Sequence, residues 1–250
     1  NAINESSRIV GTSNEILWGE GYYWNSDGSQ HPIPNSLGGA VVVPNDINST
    51  GTTVGFAENA AGYNRAFRWT AGGGMVDVGS LGSCSSSLVN IFHSNFCSMA
   101  EAINDDGDIV GAAYASEQQF GQEIRAVLWK DGYIHDLNDV TSLNSPWVVL
   151  QWARDINAKG CIVGEGKVDD GSGIHSAGFL LIPAVIEKLT LPTPYLVAGE
   201  PILGTIELSD EAPMDLEIAL RLRGLSRVAG SLDTTVKVRE GSIDADFSID

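Results

Sequence analysis

The stretch that decides the fold runs from Ala102 to Leu137 and begins AINDDGDIVG (Ala102–Gly111). A polar loop follows, then RAVLW ending at Trp129, then KDGYIHDL ending at Leu137. The same order of parts occurs four times before residue 184, so the chain contains a repeated structural unit. Repeats of this kind indicate an architecture of stacked or radially arranged units and say little about chemistry.

Each unit carries an Ile-Asn pair, a turn and a Val-Gly pair, followed by an apolar anchor. The asparagines recur at steps of 44, 56 and 53 residues, at Asn4, Asn48, Asn104 and Asn157. The anchor follows 20 to 25 residues later, at Trp24, Trp69, Trp129 and Leu181. This narrow range keeps the framework constant and places the insertions in loops.

The pattern within a unit is that of short antiparallel strands. Gly51 and Gly107 supply the positive φ that a tight hairpin needs, and alternation resumes in RAFRW and RAVLW. Three to four strands per unit of about 40–50 residues is typical of a β-propeller blade, with a β-solenoid or β-prism as the alternative. We predict an all-β protein whose propeller occupies residues 1–183. Its four visible blades lie at about residues 2–40, 41–82, 100–137 and 153–183, and blades upstream would enlarge the ring.

Residues 184–250 have a different character. Alternating strands such as ILGTIELS and TTVKVREG are separated by Gly, Pro and Asp turns, and no further Ile-Asn unit occurs. This pattern predicts a small antiparallel β-sandwich. A core of this size is small for a unit that folds alone, so docking on the propeller or on another chain is expected.

Composition limits the classes of function. The 250 residues carry 14 Lys and Arg against 32 Asp and Glu, a net charge of −18 that repels nucleic-acid phosphates. No run of about 18 apolar residues occurs, so no transmembrane segment is predicted. No basic and apolar leader precedes Asn1, so we expect that a signal peptide has been removed or that the chain begins inside a longer protein.

Two segments of the second repeat, Arg65–Trp69 (RAFRW) and Asp77–Gly82 (DVGSLG), identify the kind of repeat most clearly. Through them the chain resembles the HAF-repeat family of extracellular bacterial proteins, and the resemblance covers residues 2 to 183. The first repeat departs from the family pattern with Tyr22-Tyr23-Trp24 and the fourth with Leu181. The tail is similar to a bacterial Ig-like module. The resemblance implies a secreted or cell-surface location and supplies no catalytic residue.

Three cysteines are present. Cys84 and Cys97 bracket a long linker that a disulfide worth about 3 kcal/mol would restrain. The alternative is a pair of free thiols in a packed loop. Cys161 lies in the apolar run CIVG and is expected to be a small buried hydrophobe.

One turn has the composition of a cation site. Asn104, Asp106 and Asp108 place oxygen ligands at alternating positions around a glycine, as calcium prefers. A hairpin turn of this sequence needs no metal, and the turn lacks the distal glutamate of an EF-hand. We therefore predict no cofactor, with calcium at this turn as the alternative.

The repeat also contains basic and aromatic candidates. Arg65 and Arg125 each open a strand, with an aspartate one hairpin away; they form either a ring that binds a ligand or structural cross-strand ion pairs, which repetition favours. The anchors Trp24, Trp69 and Trp129 are expected to pack between blades. Trp18, Tyr22 and Tyr23 lie in an irregular stretch, where aromatics either contact sugars or peptides or pack locally.

No catalytic motif is present: the sequence has no H-E-x-x-H, no C-x-x-C and no G-x-S-x-G. We therefore expect a non-catalytic secreted or cell-surface protein with a binding or structural role, including that of a subunit in an extracellular filament. Its expected partners are other surface proteins, glycans or copies of itself. The alternative is a propeller-type glycoside hydrolase or lyase that acts on extracellular polysaccharide.

Overall fold

The computed structural model describes residues 1–13, 19–82, 84, 96–115, 124–140, 146–183, 186–191, 202–208, 216–221, 233–239 and 242–249. These residues form β-strands in small antiparallel sheets, with a short 3-10 helix at Leu137–Val140, so the all-β prediction is confirmed. No helix among them is both long and apolar enough to cross a bilayer. The chain divides into two compact units, Asn1–Leu181 and Ile182–Asp250.

The first unit contains four sheets that follow one another along the chain, and neighbouring strands pair in chain order. The first sheet comprises β1 (Ala2–Ile3), β2 (Ile9–Thr12), β3 (Gly21–Trp24) and β4 (Gln30–Pro32). The second comprises β5 (Gly38–Ile47), β6 (Thr53–Asn59), β7 (Asn64–Thr70) and β8 (Gly74–Asp77). The third comprises β9 (Ser98–Ile103), β10 (Ile109–Tyr114), β11 (Ile124–Lys130) and β12 (Tyr133–Asp136). The fourth comprises β13 (Trp147–Ile156), β14 (Ile162–Asp169) and β15 (Ile174–Leu181).

The first hairpin of every sheet turns at the repeated asparagine. The asparagine carbonyl accepts a hydrogen bond from the amide three residues later, and its amide donates to the carbonyl four residues later. The third residue after the asparagine has a positive φ in all four turns, from 59° to 87°. Glycine occupies this position at Gly51, Gly107 and Gly160, as the turn chemistry predicts, whereas Ser7 occupies it in the first sheet.

The glycine of the Val-Gly pair allows two strands to approach closely. Gly55, Gly111 and Gly164 lie opposite a β-bulge in the first strand of their sheet. A Cβ at these positions would lie 2.0, 2.0 and 2.1 Å from a carbonyl oxygen of that strand. At Gly11 the nearest atom would be 3.4 Å away. Three of the four Val-Gly pairs therefore require glycine for steric reasons.

Consecutive sheets pack face to face. Val54 of the second sheet shares a core cluster with Ile109 and Trp129 of the third. Val110 of the third sheet shares one with Ile162 of the fourth. A further cluster joins the first two sheets. Each sheet thus covers an apolar face that its neighbour could not bury alone.

Three sheets begin earlier than the repeat predicted. The second begins at Gly38 instead of residue 41, the third at Ser98 instead of residue 100, and the fourth at Trp147 instead of residue 153. In the second and fourth sheets the first strands, β5 and β13, are ten residues long and contain bulges, so they include residues that the repeat pattern assigned to the preceding blade or linker.

The predicted Cys84–Cys97 disulfide is confirmed, with a Cα–Cα distance of 5.1 Å. It ties the segment after the second sheet to the residue before β9, where Cys97 is fully buried. The expectation that Cys161 is buried is wrong: this free cysteine is half-exposed. It ends the turn before β14, in which Asn157, Ala158 and Lys159 are exposed.

The second unit contains two antiparallel sheets in its described part. One comprises β16 (Ile186–Thr190), β17 (Ile202–Leu208) and β20 (Asp244–Ile249), and the other β18 (Leu216–Arg221) and β19 (Asp233–Val238). Ile206, Leu208 and Phe247 from the first sheet and Val236 and Val238 from the second form one buried cluster. The two sheets therefore share a core.

Candidate functional site

A ladder of asparagine side chains connects the four sheets. The Nδ2 of Asn4 donates to the carbonyl of Asn48 at 3.0 Å, and Asn48 donates to the carbonyl of Asn104 at 3.1 Å. Asn104 in turn donates to the carbonyl of Asn157 at 3.3 Å. Each Oδ1 accepts the amide four residues later in its own turn, at 2.9 to 3.0 Å. One residue type thus closes its own hairpin and fixes the register of the next sheet.

The ladder ends at the fourth sheet. Asn4, Asn48 and Asn104 are buried, with 9%, 6% and 6% of their surface exposed. Asn157 is exposed, and its Nδ2 has no acceptor among the described residues. The donor that joins each sheet to the next therefore points to solvent here.

A second set of side-chain contacts joins neighbouring sheets through the residues three positions before the repeated asparagines. Asn1 and Asn45 donate their side-chain amides to backbone carbonyls of the following sheet, at 2.6 and 2.8 Å. Between the third and fourth sheets an ion pair takes this place, with Glu101 Oε1 2.8 Å from Arg154 Nη1. Burial raises the pKa of the Glu101 carboxyl, an effect that Arg154 opposes. Arg154 also pairs with Glu165 of its own sheet.

One face of the fourth sheet carries exposed apolar side chains. The valines of the Val-Gly pairs in the first three sheets, Val10, Val54 and Val110, are at most 1% exposed. The equivalent Val163 is 44% exposed, and Leu180, which pairs with it across the strands, is 54% exposed. The same motif residue is core in three sheets and surface in the fourth.

This face contains a shallow groove of about 460 Å³. Its lining residues are Arg154, Val163, Gly164, Glu165, Ser176, Ala177 and Gly178. The floor consists of small or apolar side chains, and the Arg154–Glu165 pair forms a polar wall. Such a surface suits another protein surface better than a deeply enclosed small molecule.

The first sheet exposes the complementary face. Ile3 and Ile9 pair across β1 and β2 and are 63% and 43% exposed. The residues at the same repeat positions in the other three sheets are at most 6% exposed. The first and fourth sheets thus each expose apolar side chains at repeat positions that are buried in the other three sheets.

The repeated arginines form structural ion pairs. Arg65 contacts Asp77 through two hydrogen bonds, Nε to Oδ2 at 2.8 Å and Nη2 to Oδ1 at 3.3 Å. Arg125 Nη1 lies 3.0 Å from Asp136 Oδ2. Both pairs join the third and fourth strands of their sheets, and Arg65 also contacts the disulfide sulfur of Cys84 at 3.0 Å. The arginines are thus engaged within their own sheets.

The tryptophan anchors and the tyrosines lie in packed environments. Trp69 and Trp129 are each 4% exposed, whereas Trp24 is half-buried. Tyr23 stacks on His31 with ring centroids 4.9 Å apart and contacts Trp69 at 5.2 Å.

Tyr22 is half-buried and lies beside Trp24, with ring centroids 6.1 Å apart. Its hydroxyl donates to Glu20 Oε2 at 2.5 Å, which raises the pKa of the tyrosine. Trp18, the third aromatic proposed for ligand contact, lies outside the described residues.

The oxygens proposed for calcium have protein partners. Asn104 Oδ1 accepts the Asp108 amide at 2.9 Å, and Asp108 Oδ2 lies 2.6 Å from Lys130 Nζ. Asp106 is exposed on the turn. In the part of the chain that the structure describes, no group of three or more His, Cys, Asp or Glu could hold a metal. The turn is held by hydrogen bonds and an ion pair.

Sequence reasoning interpreted the four asparagines as turn formers and missed their cross-sheet bonds. It also missed Glu101 and Arg154, because nothing in the local sequence marks a bulge. The steps between the asparagines were the available signal. A side chain repeated once per unit, at the same turn position, can contact its counterpart when the units stack.

Comparison with known proteins gives limited information. No protein-family model and no curated protein matches the sequence. Among solved structures, TolB from Acinetobacter baumannii is similar, with 14% sequence identity and a TM-score of 0.43. The match covers 83% of this chain and 51% of that chain, so this chain spans about half of TolB. Function must therefore be inferred from the chain's own residues.

Proposed function

We propose that this chain is a non-catalytic extracellular protein with a binding or assembly role, built from propeller-type blades of the HAF-repeat kind and an Ig-like module. One observation carries the proposal. The polar side chains that the repeat provides bond within and between sheets, whereas the apolar face of the fourth sheet is open. The repeat thus supplies scaffolding, and the surface that remains suits a macromolecular partner.

An extracellular location agrees with two further features. The Cys84–Cys97 disulfide belongs to the kind of bond that persists in oxidising compartments. The net charge of −18 favours solvation and disfavours nucleic acid as a partner. Other surface proteins, glycans and copies of the chain itself are the candidate partners.

The alternative is a glycoside hydrolase or lyase, which requires two carboxylates beside a substrate groove. Glu101 and Glu165 are the described pair closest to this requirement, since burial raises the pKa of Glu101 and Glu165 lines the groove. Arg154, however, binds both carboxylates. This arrangement favours a structural ion cluster.

The test is a screen of the full chain against bacterial and plant polysaccharides for newly formed reducing ends or unsaturated products. We expect no turnover. Glu101→Gln and Glu165→Gln are assayed beside the wild type, with Glu5→Gln in an exposed turn as the control for loss of a charge. Turnover that either of the first two substitutions abolishes, and the control retains, would overturn the non-catalytic role.

A further inference from the structure

A small polar pocket lies where the turns of the first and second sheets meet, and we call it the turn pocket. Its volume is about 180 Å³, which is too small to enclose a whole drug-sized ligand and large enough for the charged group of a larger one. All its lining residues are polar or glycine, and they include Ser6, Arg8, Asn25, Ser26, Ser49 and Thr50. Both sheets belong to the first compact unit, so the pocket is formed within that unit.

Arg8 supplies the positive charge of the turn pocket. Its guanidinium packs over the Tyr23 ring, with Cζ 5.4 Å from the ring centroid. A Cβ on Gly51 would lie 2.8 Å from Arg8 Nη1, so the guanidinium also lies close to the turn of the second sheet. No hydrogen bond or ion pair joins this guanidinium to the described residues. Packing therefore fixes its position and leaves its N–H groups available to a ligand.

The repeat itself does not require a cation at this place. Arg8 precedes β2 and Asn25 follows β3, one position beyond the register pair that contains Trp24. At the equivalent places the third sheet has Asp108 and Lys130, whose side chains form an ion pair at 2.6 Å. The second sheet has two uncharged residues there, Thr52 and Thr70. The first sheet thus carries a cation without the internal partner that the third sheet provides.

Two hydroxyl groups complete the set of donors. Ser6 and Ser26 are exposed at the turn pocket, and neither hydroxyl has a partner in the part of the chain that the structure describes. Asp105 of the third sheet accepts the Ser49 amide at 2.9 Å, but no carboxylate lines the pocket itself. The pocket therefore offers one positive charge and several donors, which match an anion that only accepts hydrogen bonds.

We propose that the turn pocket binds the carboxylate of an acidic sugar, such as a uronic acid, in an extracellular glycan. Arg8 binds the carboxylate through two parallel N–H bonds, the geometry that a guanidinium favours. The hydroxyls of Ser6 and Ser26 donate to the same carboxylate or to an adjacent hydroxyl of the sugar. This inference rests on the binding role proposed above and specifies one class of ligand.

The composition of the pocket favours this ligand over two others. A single guanidinium balances one negative charge, so a phosphate dianion would leave a charge unpaired in a protein whose net charge is −18. The terminus of a peptide brings a side chain as well as a carboxylate, and no apolar side chain lines the pocket to receive it. A sugar acid presents one carboxylate beside hydroxyls, which the serines and asparagines of the lining can bind.

Isothermal titration calorimetry of the full chain with sodium glucuronate tests the proposal. We expect saturable binding by the wild type. Glucose has a hydroxymethyl group in place of the carboxylate and should bind at least about tenfold more weakly. Inorganic phosphate and diglycine, a peptide with a free carboxylate, are the competing anions, and each should bind more weakly than glucuronate.

Substitutions locate the binding at the turn pocket. Arg8→Gln removes the charge and the paired donors, so it should weaken glucuronate binding at least about tenfold. Arg68→Gln is the matched control, because Arg68 is exposed on β7 and the variant loses the same charge; it should bind like the wild type. Ser26→Ala removes one hydroxyl and retains Arg8, and it should weaken binding about threefold. This second variant decides the test if a thermal melt shows that Arg8→Gln does not fold.

Several outcomes would overturn the proposal. They are a wild type that does not bind glucuronate, equal binding of glucose and glucuronate, and a folded Arg8→Gln or Ser26→Ala variant that binds like the wild type. An Arg68→Gln variant that loses as much affinity as Arg8→Gln would do the same. Tighter binding of phosphate or diglycine than of glucuronate would overturn the assignment to an acidic sugar.

These outcomes are separable from those for the proposed function. A chain that does not bind glucuronate loses this ligand and keeps a role in binding other surface molecules. Turnover of a polysaccharide removes the non-catalytic role and does not alter the affinities measured at the turn pocket.

Discussion

The third and fourth sheets are built from the same motif, yet their valines have opposite environments. Val110 is fully buried and Val163 is 44% exposed, although both precede a glycine opposite a bulge. Val110 packs in a core cluster with Ile162 of the fourth sheet, whereas Val163 follows Ile162 in its strand and so points to the opposite face of that sheet. A repeat motif therefore specifies the strand and its turn, and position in the stack decides whether a given side chain is core or surface.

The largest effect on stability is expected at the glycine of the Val-Gly pair, which lies opposite a bulge in the third sheet and not in the first. Gly111→Ala places a Cβ 2.0 Å from the Met99 carbonyl oxygen. The strands must separate, at a cost of about 3 kcal/mol of unfolding free energy. Denaturant titration followed by tryptophan fluorescence measures this loss, and it reports on the first unit because all the tryptophans precede residue 182.

Gly11→Ala is the matched control for the glycine prediction. Its Cβ would meet nothing closer than 3.4 Å, so the change should be about 0.5 kcal/mol in either direction. Equal losses for the two variants would show that the bulge contact is not the reason for glycine.

The second largest contrast in unfolding free energy is expected between two asparagines of the ladder, Asn104 and Asn157. Asn104→Ala removes both the bond to the fourth sheet and the acceptor for the buried Asp108 amide, which should cost about 2.5 kcal/mol. Asn157→Ala removes bonds within an exposed turn only, which should cost about 1 kcal/mol. The same denaturant titrations measure both. A ratio near one would contradict a stabilising role for the cross-sheet bond.

The motif valines should show a smaller contrast. Val110→Ala leaves a cavity between the third and fourth sheets and should cost about 2 kcal/mol. Val163→Ala should cost less than about 0.5 kcal/mol, because its side chain is already in solvent. The same denaturant titrations measure both. A large loss for Val163→Ala under these conditions would mean that its face is covered within the chain.

The smallest effect concerns pH at the junction of the two sheets. Burial raises the pKa of Glu101 in the folded state, so the folded protein binds this proton more tightly than the unfolded chain. The resulting stability is present below the unfolded glutamate pKa of about 4.3 and is lost as pH rises through the folded value.

Glu101→Gln removes this titration and so tests the prediction. Relative to the variant, the wild type should lose stability as pH rises above about 4.3. Denaturant titrations at a series of pH values measure the difference, with Glu5→Gln as the control. Parallel curves for wild type and Glu101→Gln would show that Glu101 has the same pKa in both states.

Features that depend on residues close together in the chain were predicted more accurately than contacts between residues far apart in it. The Ile-Asn turns and their glycines depend on a few consecutive residues, and Gly51 and Gly107 have the positive φ expected of them. The Cys84–Cys97 disulfide closes a local loop and was also predictable. The start of the fourth sheet was wrong by six residues, because a bulge adds residues to a strand without changing its alternation in an obvious way.

The candidate site was harder to predict than the fold. Asn157 and Val163 were recognisable as members of the repeat, but their sequence context is that of Asn104 and Val110. Their exposure in the folded structure, and not their local sequence, distinguishes them. The aromatic residues proposed for ligand contact were also misjudged for this reason. Tyr23 packs against Trp69 of the second sheet, a contact that its local sequence does not indicate.

The sequence by itself determined the four units, the turn in each and the strands that follow. Those features depend on residues that are close together in the chain, where backbone preferences and alternation act directly. Only the tertiary structure decided that the asparagines bond from sheet to sheet, that Glu101 meets Arg154, and that Val163 is exposed where Val110 is buried. Each of these depends on residues about 50 positions apart being brought together. Packing between sheets sets that distance, and no local pattern encodes it.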